Sequence, residues 1–316
     1  MSSARVAVVL VCSILSSFLA CRTSQPGAQI DHRLATYVSS GAKAIAGINL
    51  EELKRSALYQ KHSTLLDLSG LNAVAEEAGL DPRRDLASLL IFLDDDNQPE
   101  VLLRGSFSPD TVTGKLLARG ARISTYKGRK LIEAGHLSKM VQAIFFPQND
   151  VAAFGSIQVL HRTIDSGRDG IPDDLEARLR VLPPHDQISF AMKGTIPTGQ
   201  LTSRSDIGSM LTSLAGFVDG AAGGIGLDSG IHFKLELNCL SDNAAQQVRD
   251  AFHGVISFAR LGIRDNQKEL LPVFDAIHVT KQGRAVQVQM DATSELSEKL
   301  LAFYLPHRED GYPRSR

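Results

Sequence analysis

Short apolar runs, broken by clusters of turn-forming residues, make up much of the chain between residues 89 and 154. The runs Leu89–Leu93 and Val101–Phe107 are separated by Asp-Asp-Asp-Asn-Gln-Pro, and Ala143–Phe146 and Val151–Phe154 by Pro-Gln-Asn-Asp. These turn residues favour tight connections, and a tight connection between two extended segments pairs them antiparallel. The pattern therefore predicts two β-hairpins within a mainly antiparallel sheet.

Helical periodicity occurs in two segments, 65–78 and 207–221, where apolar residues recur every three or four positions. Each segment begins a similar series of features. The series continues with a Gly-Leu-Asp triplet (79–81 and 226–228), an extended apolar run (89–93 and 231–237), a helix starting at serine (Ser108 and Ser241) and a turn (127–129 and 281–284). Serine is a favourable N-cap, and Pro109 suits the first helical turn. Features repeated in the same order predict a tandem duplication.

We therefore expect an α+β fold of two similar halves, residues 34–182 and 183–305, each a mainly antiparallel sheet with helices on one face. The boundary is placed at Pro183-Pro184 because two prolines break a helix or a strand. Helices interrupt the strands without regular β-α-β alternation, which argues against a doubly wound parallel sheet. The polar tail, residues 306–316, is expected to be disordered.

The N-terminus follows a different pattern. Arg5 precedes the apolar run Val6–Leu15, which is shorter than the roughly 20 residues that span a bilayer. The small residue Ala20 then precedes Cys21, and this order of charge, apolar run and small residue is typical of a secretory signal. The sequence Leu19-Ala20-Cys21 resembles the lipobox of bacterial lipoprotein signals, although Phe18 stands where leucine is preferred.

The resemblance implies that residues 1–20 are a signal peptide and that the thiol of Cys21 carries lipid after their removal. It also implies export to the cell envelope as an outer-membrane lipoprotein, since Arg22 is not the aspartate that retains this class in the inner membrane. Residues 21–33 would then be a flexible polar tether. Secretion without lipid and an uncleaved anchor are the alternatives. Ordinary cleavage prefers small residues one and three positions before the cut, and Phe18 is not small.

Composition limits the partners and the covalent bonds. The net charge of −1 gives no basic field for nucleic acid. With Cys12 in the signal and Cys21 at the anchor, only Cys239 is left, so the mature chain has no intramolecular disulfide. Cys239 lies in an apolar run and is predicted to be a buried core residue. The absence of tryptophan and the 6 % aromatic content disfavour stacking on sugars, so an apolar or lipid-like ligand or a protein partner is expected.

The segment 165–176 is similar to the calcium loops of EF-hand and thrombospondin type 3 repeats. Oxygen-bearing side chains occupy the matching places at Asp165, Asp169, Asp173 and Glu176. Gly170 supplies the tight turn that lets hard oxygen ligands converge. The segment departs from the pattern at Gly167, which has no side chain, and at Arg168, which adds positive charge. The resemblance implies a calcium site; the alternative is a polar connector that begins a helix.

Signatures of common catalytic sites do not occur in the chain. The sequence contains no H-E-x-x-H, G-x-S-x-G, C-x-x-C or P-loop motif. The glycines of Gly223–Asp228 are predicted to form a helix-to-strand turn, and Asp94–Asn97 a solvated hairpin tip. The leading hypothesis is a non-enzymatic, membrane-anchored binding or interaction scaffold. A hydrolase with a site built from distant residues and a calcium-stabilised exported domain are the alternatives.

Overall fold

The apolar runs predicted to be extended all form strands, and these strands belong to one sheet. The computed structural model describes residues 30–62, 75, 78–134, 142–194, 214–263 and 265–309. Within these ranges the strands are β1 (Ala44–Asn49), β2 (Leu86–Leu93), β3 (Pro99–Gly105), β4 (Arg122–Tyr126), β5 (Arg129–Glu133), β6 (Ala143–Gln148), β7 (Val151–Gly155), β8 (Ile188–Lys193), β9 (Val218–Gly226), β10 (Gly230–Cys239), β11 (Ile277–Gln282) and β12 (Ala285–Thr293).

Helices lie between these strands and are mostly short. They are α1 (His32–Ala35), α2 (Leu50–Arg55), α3 (Ala57–Lys61), α4 (Pro82–Asp85), α5 (Pro109–Ala118), α6 (Ile157–Ser166), α7 (Asp173–Leu179), α8 (Asp242–Leu261), α9 (Leu271–Asp275) and α10 (Ser294–Glu309), with a 3₁₀ helix at Asp265–Leu270. The predicted serine caps are present, since the side chain of Ser108 accepts from the Thr111 amide and that of Ser241 from the Ala244 amide. Each cap satisfies one backbone donor that has no partner within its own helix.

The sheet is antiparallel throughout the described residues. Its strand order is β11-β12-β10-β9-β8-β1-β2-β3-β7-β6-β5-β4. Both predicted hairpins are confirmed, because β2 pairs with β3 and β6 pairs with β7, each antiparallel. The fold is therefore α+β with a large antiparallel sheet.

Helices cover both faces of the sheet, and the expectation of helices on one face is wrong. Successive side chains of a strand point to opposite faces. Leu102 of β3 packs in one core with Leu160 of α6, on the side that we call the upper face. Its neighbour Leu103 packs with Leu116 of α5 in a second core on the lower face. Strands such as β7, all of whose residues are buried, need cover on both sides.

Residues 218–226 form strand β9, where the sequence predicted the end of a helix followed by a turn. Glycine is a poor helix former, and β9 contains several glycines. In the sheet these glycines make room for neighbours. A Cβ atom on Gly223 would overlap the ring of Phe190, and one on Gly224 would overlap the carboxylate of Asp186. The structure describes only residues 75 and 78 of the predicted helix 65–78, and only residues 214–221 of the predicted helix 207–221.

The two halves of the chain meet at the β1–β8 pair, with Ile45 opposite Ala191. Residues on either side of position 183 thus contribute to one continuous sheet. The strands β3 and β10 each lead into a serine-capped helix, as predicted. The hairpins that follow differ in position, because β12 lies beside β10 whereas β6 and β7 separate the β4–β5 hairpin from β3. A tandem duplication is not confirmed by this arrangement.

The C-terminal helix α10 continues to Glu309, beyond residue 305, where the sequence predicted that order ends. Packing of Leu301 in the lower core holds this helix on the sheet. Residues 310–316 are outside the described ranges. Cys239 is 2 % exposed, which confirms its predicted place in the core. None of the helices that the structure describes is long and apolar enough to cross a membrane.

Candidate functional site

A cleft of about 880 Å³ opens on the upper face of the sheet. Its walls are α1 on one side and residues 170–180, which include α7, on the other. Gly47 of β1 and Ser88 of β2 lie between these walls. A Cβ atom on Gly47 would lie within van der Waals overlap of the Ile30 side chain, so this glycine lets the start of the described chain lie against the strands. The cleft is therefore located where the chain enters the fold.

One end of the cleft holds a charged network around Asp31. The side chain of Asp31 caps α1 by accepting from the Arg33 amide at 3.0 Å, and it accepts from the Ser88 hydroxyl at 2.7 Å. The Arg104 guanidinium donates to the same carboxylate and also contacts Glu51. Burial alone would raise the pKa of Asp31, but the hydrogen bonds from Ser88 and Arg104 outweigh burial and lower it. Asp31 is thus held as an anion that orients Arg104.

The opposite wall combines apolar surface with a second ion pair. Ile171 and Leu179 line it, and Glu176 pairs with Arg180 at 3.0 Å one helical turn away. Both partners of that pair are largely exposed. An exposed pair of this kind contributes only about 0.3–0.5 kcal/mol, so Arg180 can exchange its partner at little cost.

A second cavity, of about 290 Å³, shares Asn49 with the cleft. It is lined by Glu52, by residues 184–187 and by Asp228. Gln187 organises this wall, because its side-chain amide donates to Asp228 at 2.7 Å and its carbonyl oxygen accepts from the Leu227 amide at 2.6 Å. Both polar atoms of Gln187 are therefore used inside the protein.

Asp186 is the one strongly perturbed group of this second cavity. The residue is 6 % exposed, and its Oδ2 atom is buried without a hydrogen-bond partner. The carboxylate lies on β9 over Gly224 and Gly226, where side chains would exclude it. Burial raises its pKa to about 6, and the nearby charges of His232 and Lys234 limit the rise.

The four residues of the proposed calcium loop are engaged separately. Asp165 lies in α6 and accepts from Tyr126 at 3.0 Å and from Lys127 at 2.7 Å. Asp169 accepts from the Ser40 hydroxyl at 2.9 Å, and Glu176 pairs with Arg180 as described above. Asp173 is the first residue of α7. The described residues contain no group of three or more His, Cys, Asp or Glu side chains arranged to hold a metal ion.

Serine, histidine and aspartate side chains do come together at one place, on the upper face near the β9–β10 turn. His232 Nδ1 lies 2.9 Å from Asp291 Oδ1, and its Nε2 lies 3.4 Å from Ser229 Oγ. The order matches that of a nucleophile, a base and an orienting carboxylate. His232 and Asp291 are, however, direct cross-strand partners with about half of each side chain exposed, and neither cavity is lined by any of the three. The register of β10 against β12 is therefore enough to explain the contact of His232 with Asp291 as an exposed cross-strand pair.

Sequence patterns identified part of these features. The segments 165–176 and 223–228, which the sequence pattern singles out, each contribute to a cavity wall, the first through Gly170, Ile171 and Glu176 and the second through Asp228. The roles of Asp31, Arg104 and Asp186 were missed, because their partners are distant in sequence and no local spacing indicates them. The one available signal was the glycine run in β9, which is unusual for a strand interior. Cys21, the proposed lipid-attachment residue, lies outside the described residues.

Comparison with known proteins identifies no family. No protein-family model matches the chain, and no curated protein matches it in sequence. Among solved structures, crystal form I of TP0453 is similar with a TM-score of 0.47 and 12 % identity, covering 88 % of this chain and 99 % of that one. Crystal form III of TP0453 gives a TM-score of 0.48 at 12 % identity, covering 87 % of this chain and 98 % of that one.

Proposed function

We propose that this chain is an exported lipoprotein of the cell envelope, anchored through Cys21, that binds an amphipathic ligand in the cleft between α1 and residues 170–180. The observation that supports it is the position of the cleft. Ile30 lines the cleft and follows Cys21 by nine residues (30 − 21). Nine residues span at most about 30 Å when fully extended. A lipid on Cys21 would therefore keep the cleft close to the membrane surface.

The residues around the cleft favour a ligand with an apolar body and an anionic group. Ile30, Ile171 and Leu179 provide apolar wall. The charged side chains of the wall are three guanidinium groups, Arg33, Arg104 and Arg180, against the two carboxylates of Asp31 and Glu176. Guanidinium groups bind carboxylates and phosphates with two parallel hydrogen bonds. An anionic lipid or a fatty acid has both properties.

Native mass spectrometry of the full chain, purified from membranes, tests the ligand. We expect a co-purified anionic amphiphile in the wild type and its loss in Ala35→Trp, which fills the cleft from α1. Ala118→Trp places the same side chain at an exposed position of α5 and should keep the ligand. Arg180→Ala should weaken retention without filling the cleft. The proposal fails if nothing co-purifies, or if the ligand is a protein that both tryptophan variants retain.

The anchor is tested by metabolic labelling with a palmitate analogue. We expect label on the wild type, none on Cys21→Ser, and release of the Cys21→Ser protein from the membrane fraction. Label on Cys21→Ser, or an unlabelled wild type in the soluble fraction, contradicts lipidation at this residue. This result is independent of the ligand in the cleft.

We also propose that the two sides of the sheet repeat one smaller unit, three antiparallel strands and a serine-capped helix. The unit comprises β1, β2, β3 and α5 on one side and β8, β9, β10 and α8 on the other. Support comes from the strand order, in which β1-β2-β3 and β8-β9-β10 run outward in opposite directions from the central pair. Superposition of the two units in an experimental structure tests this. Helices α5 and α8 on opposite faces after superposition would contradict it.

A further inference from the structure

The glycine run of β9 makes room for side chains on both faces of the sheet, and one of these side chains indicates a second binding site. Gly223 makes room for Phe190 on the lower face, and Gly224 makes room for the Asp186 carboxylate on the upper face. Without a side chain at Gly224, the carboxylate can lie directly on the sheet. Its Oδ2 atom is buried there without any hydrogen-bond donor among the described residues. A buried carboxylate oxygen without a partner has lost its hydrogen bonds to water and gained none, so its retention calls for an explanation.

Two basic side chains near Asp186, those of Lys234 and His232, are bonded to other acceptors. The ammonium group of Lys234 donates a hydrogen bond to the carbonyl oxygen of Val181 at 2.7 Å. His232 is held by Asp291 at 2.9 Å. Both residues act on Asp186 through charge alone and supply it with no hydrogen bond. Among the described residues, the Oδ2 atom of Asp186 is thus left without a donor.

The remaining wall of the cavity carries further acceptors. Asp228 and Glu52 contribute carboxylates, and the side-chain oxygen of Asn49 accepts from the Glu52 amide at 3.1 Å. One N–H of the Gln187 side chain already binds Asp228, and Pro184 has no N–H. The other nitrogen-bearing side chains of this wall are those of His185 and Asn49. Three carboxylates in one wall favour a ligand that brings positive charge and N–H donors of its own.

We propose that the cavity over Asp186 binds a primary alkylammonium group. An ammonium carries positive charge and three N–H donors on one compact centre, which suits the carboxylate of Asp186 in a cavity of about 290 Å³ that Asp228 and Glu52 make more negative. A metal ion is a poorer fit, because these carboxylates do not form a group arranged to hold one within the described part of the chain. The proposal does not depend on the ligand of the cleft, because the two cavities have only Asn49 in common among their lining residues.

Isothermal titration calorimetry of the full chain at pH 7.5 and constant ionic strength tests the site with n-butylammonium chloride. We expect saturable binding that Asp186→Asn weakens at least tenfold. Gly224→Ala should have a similar effect, because its methyl group displaces the carboxylate while every charge is kept. Asp174→Asn removes an exposed carboxylate that pairs with Lys193 on α7 and β8, and it should change binding less than twofold.

Two further probes separate hydrogen bonding from charge and from apolar contact. Tetramethylammonium has the charge without N–H donors and should not bind, and n-butanol has the chain without the charge and should not bind. Equal affinity of n-butylammonium for wild type and Asp186→Asn overturns the proposal, as does equal binding of n-butanol.

Discussion

Two buried carboxyl groups on the upper face, Glu100 in β3 and Asp186 before β8, have similar chemistry in different surroundings. Each has one oxygen without a hydrogen-bond partner, and burial raises the pKa of each, to about 8 for Glu100 and about 6 for Asp186. Glu100 is 1 % exposed and lies under α6, whereas Asp186 lines a cavity. Burial thus sets the protonation state of both, and only the cavity makes one of them available to a ligand.

Contacts of Thr163 explain how Glu100 is accommodated. The Thr163 hydroxyl lies within hydrogen-bond distance of both the Glu100 carboxyl and the carbonyl oxygen of Val159. One hydroxyl proton cannot serve two acceptors. With its pKa near 8, Glu100 is protonated at neutral pH and can donate to Thr163, which then donates to Val159. No comparable donor among the described residues reaches the Oδ2 atom of Asp186, which is mostly ionised at pH 7.

The largest effect is expected from Glu100→Gln. The pKa of Glu100 rises from 4.5 unfolded to about 8 folded, so the unfolded state loses its proton first and stability falls as pH increases from about 4.5 to 8. The difference of about 3.5 units (8 − 4.5) corresponds to at most about 5 kcal/mol. Urea unfolding should show Glu100→Gln gaining on the wild type across this range. The exposed control Glu269→Gln should follow the wild type, and parallel curves for all three proteins would refute a buried, protonated Glu100.

Asp186→Asn should act in the same direction over a lower pH range. Its folded pKa of about 6 exceeds the ordinary 3.8, so stability is lost between about pH 4 and 6 as the unfolded state ionises first. The difference of about 2.2 units (6 − 3.8) sets an upper limit of about 3 kcal/mol. Unfolding midpoints at pH 4, 5, 6 and 7 measure it, with exposed Asp219→Asn as the control. A gain already complete at pH 4 would mean that ionisation is not the cause.

Gly224→Ala tests the contact under Asp186. The added methyl group overlaps the carboxylate, so we expect a loss of about 1–3 kcal/mol in the free energy of unfolding. Asp186→Ala in the same chain should recover most of that loss. The same second change should not rescue Gly223→Ala, whose methyl group meets Phe190 on the lower face. In α5, Gly114→Ala meets no neighbour and should be stabilising by about 1 kcal/mol. Additive effects of Gly224→Ala and Asp186→Ala would place the carboxylate elsewhere.

The smallest effect is expected from chelation of calcium. Both oxygens of Asp165 already accept from Tyr126 and Lys127, and Asp169 accepts from Ser40. Excess EDTA should therefore leave the thermal unfolding midpoint unchanged. A midpoint that falls with EDTA and returns with calcium would contradict this expectation and support a calcium site at residues 165–176.

Local sequence features gave the parts of the fold that depend on nearest neighbours. The β2–β3 and β6–β7 hairpins follow from apolar runs with turn residues between them, and the caps at Ser108 and Ser241 from single side chains next to a helix. The prediction failed at 218–226, where helical spacing of apolar residues was outweighed by glycines that neighbouring strands require. Helices on both faces were missed for a related reason, since periodicity shows that a residue is buried but not what covers it.

By itself, the sequence determined the α+β class, the antiparallel hairpins and the burial of Cys239, because each depends on residues close together along the chain. Tertiary structure alone decided that β1 pairs with β8, that Arg104 meets Asp31, and that Asp186 lies over Gly224. The last contact brings together residues 38 positions apart (224 − 186) through the register of β8 and β9. Both cavities depend on such distant pairings, since the sheet that brings their walls together forms only in the folded chain.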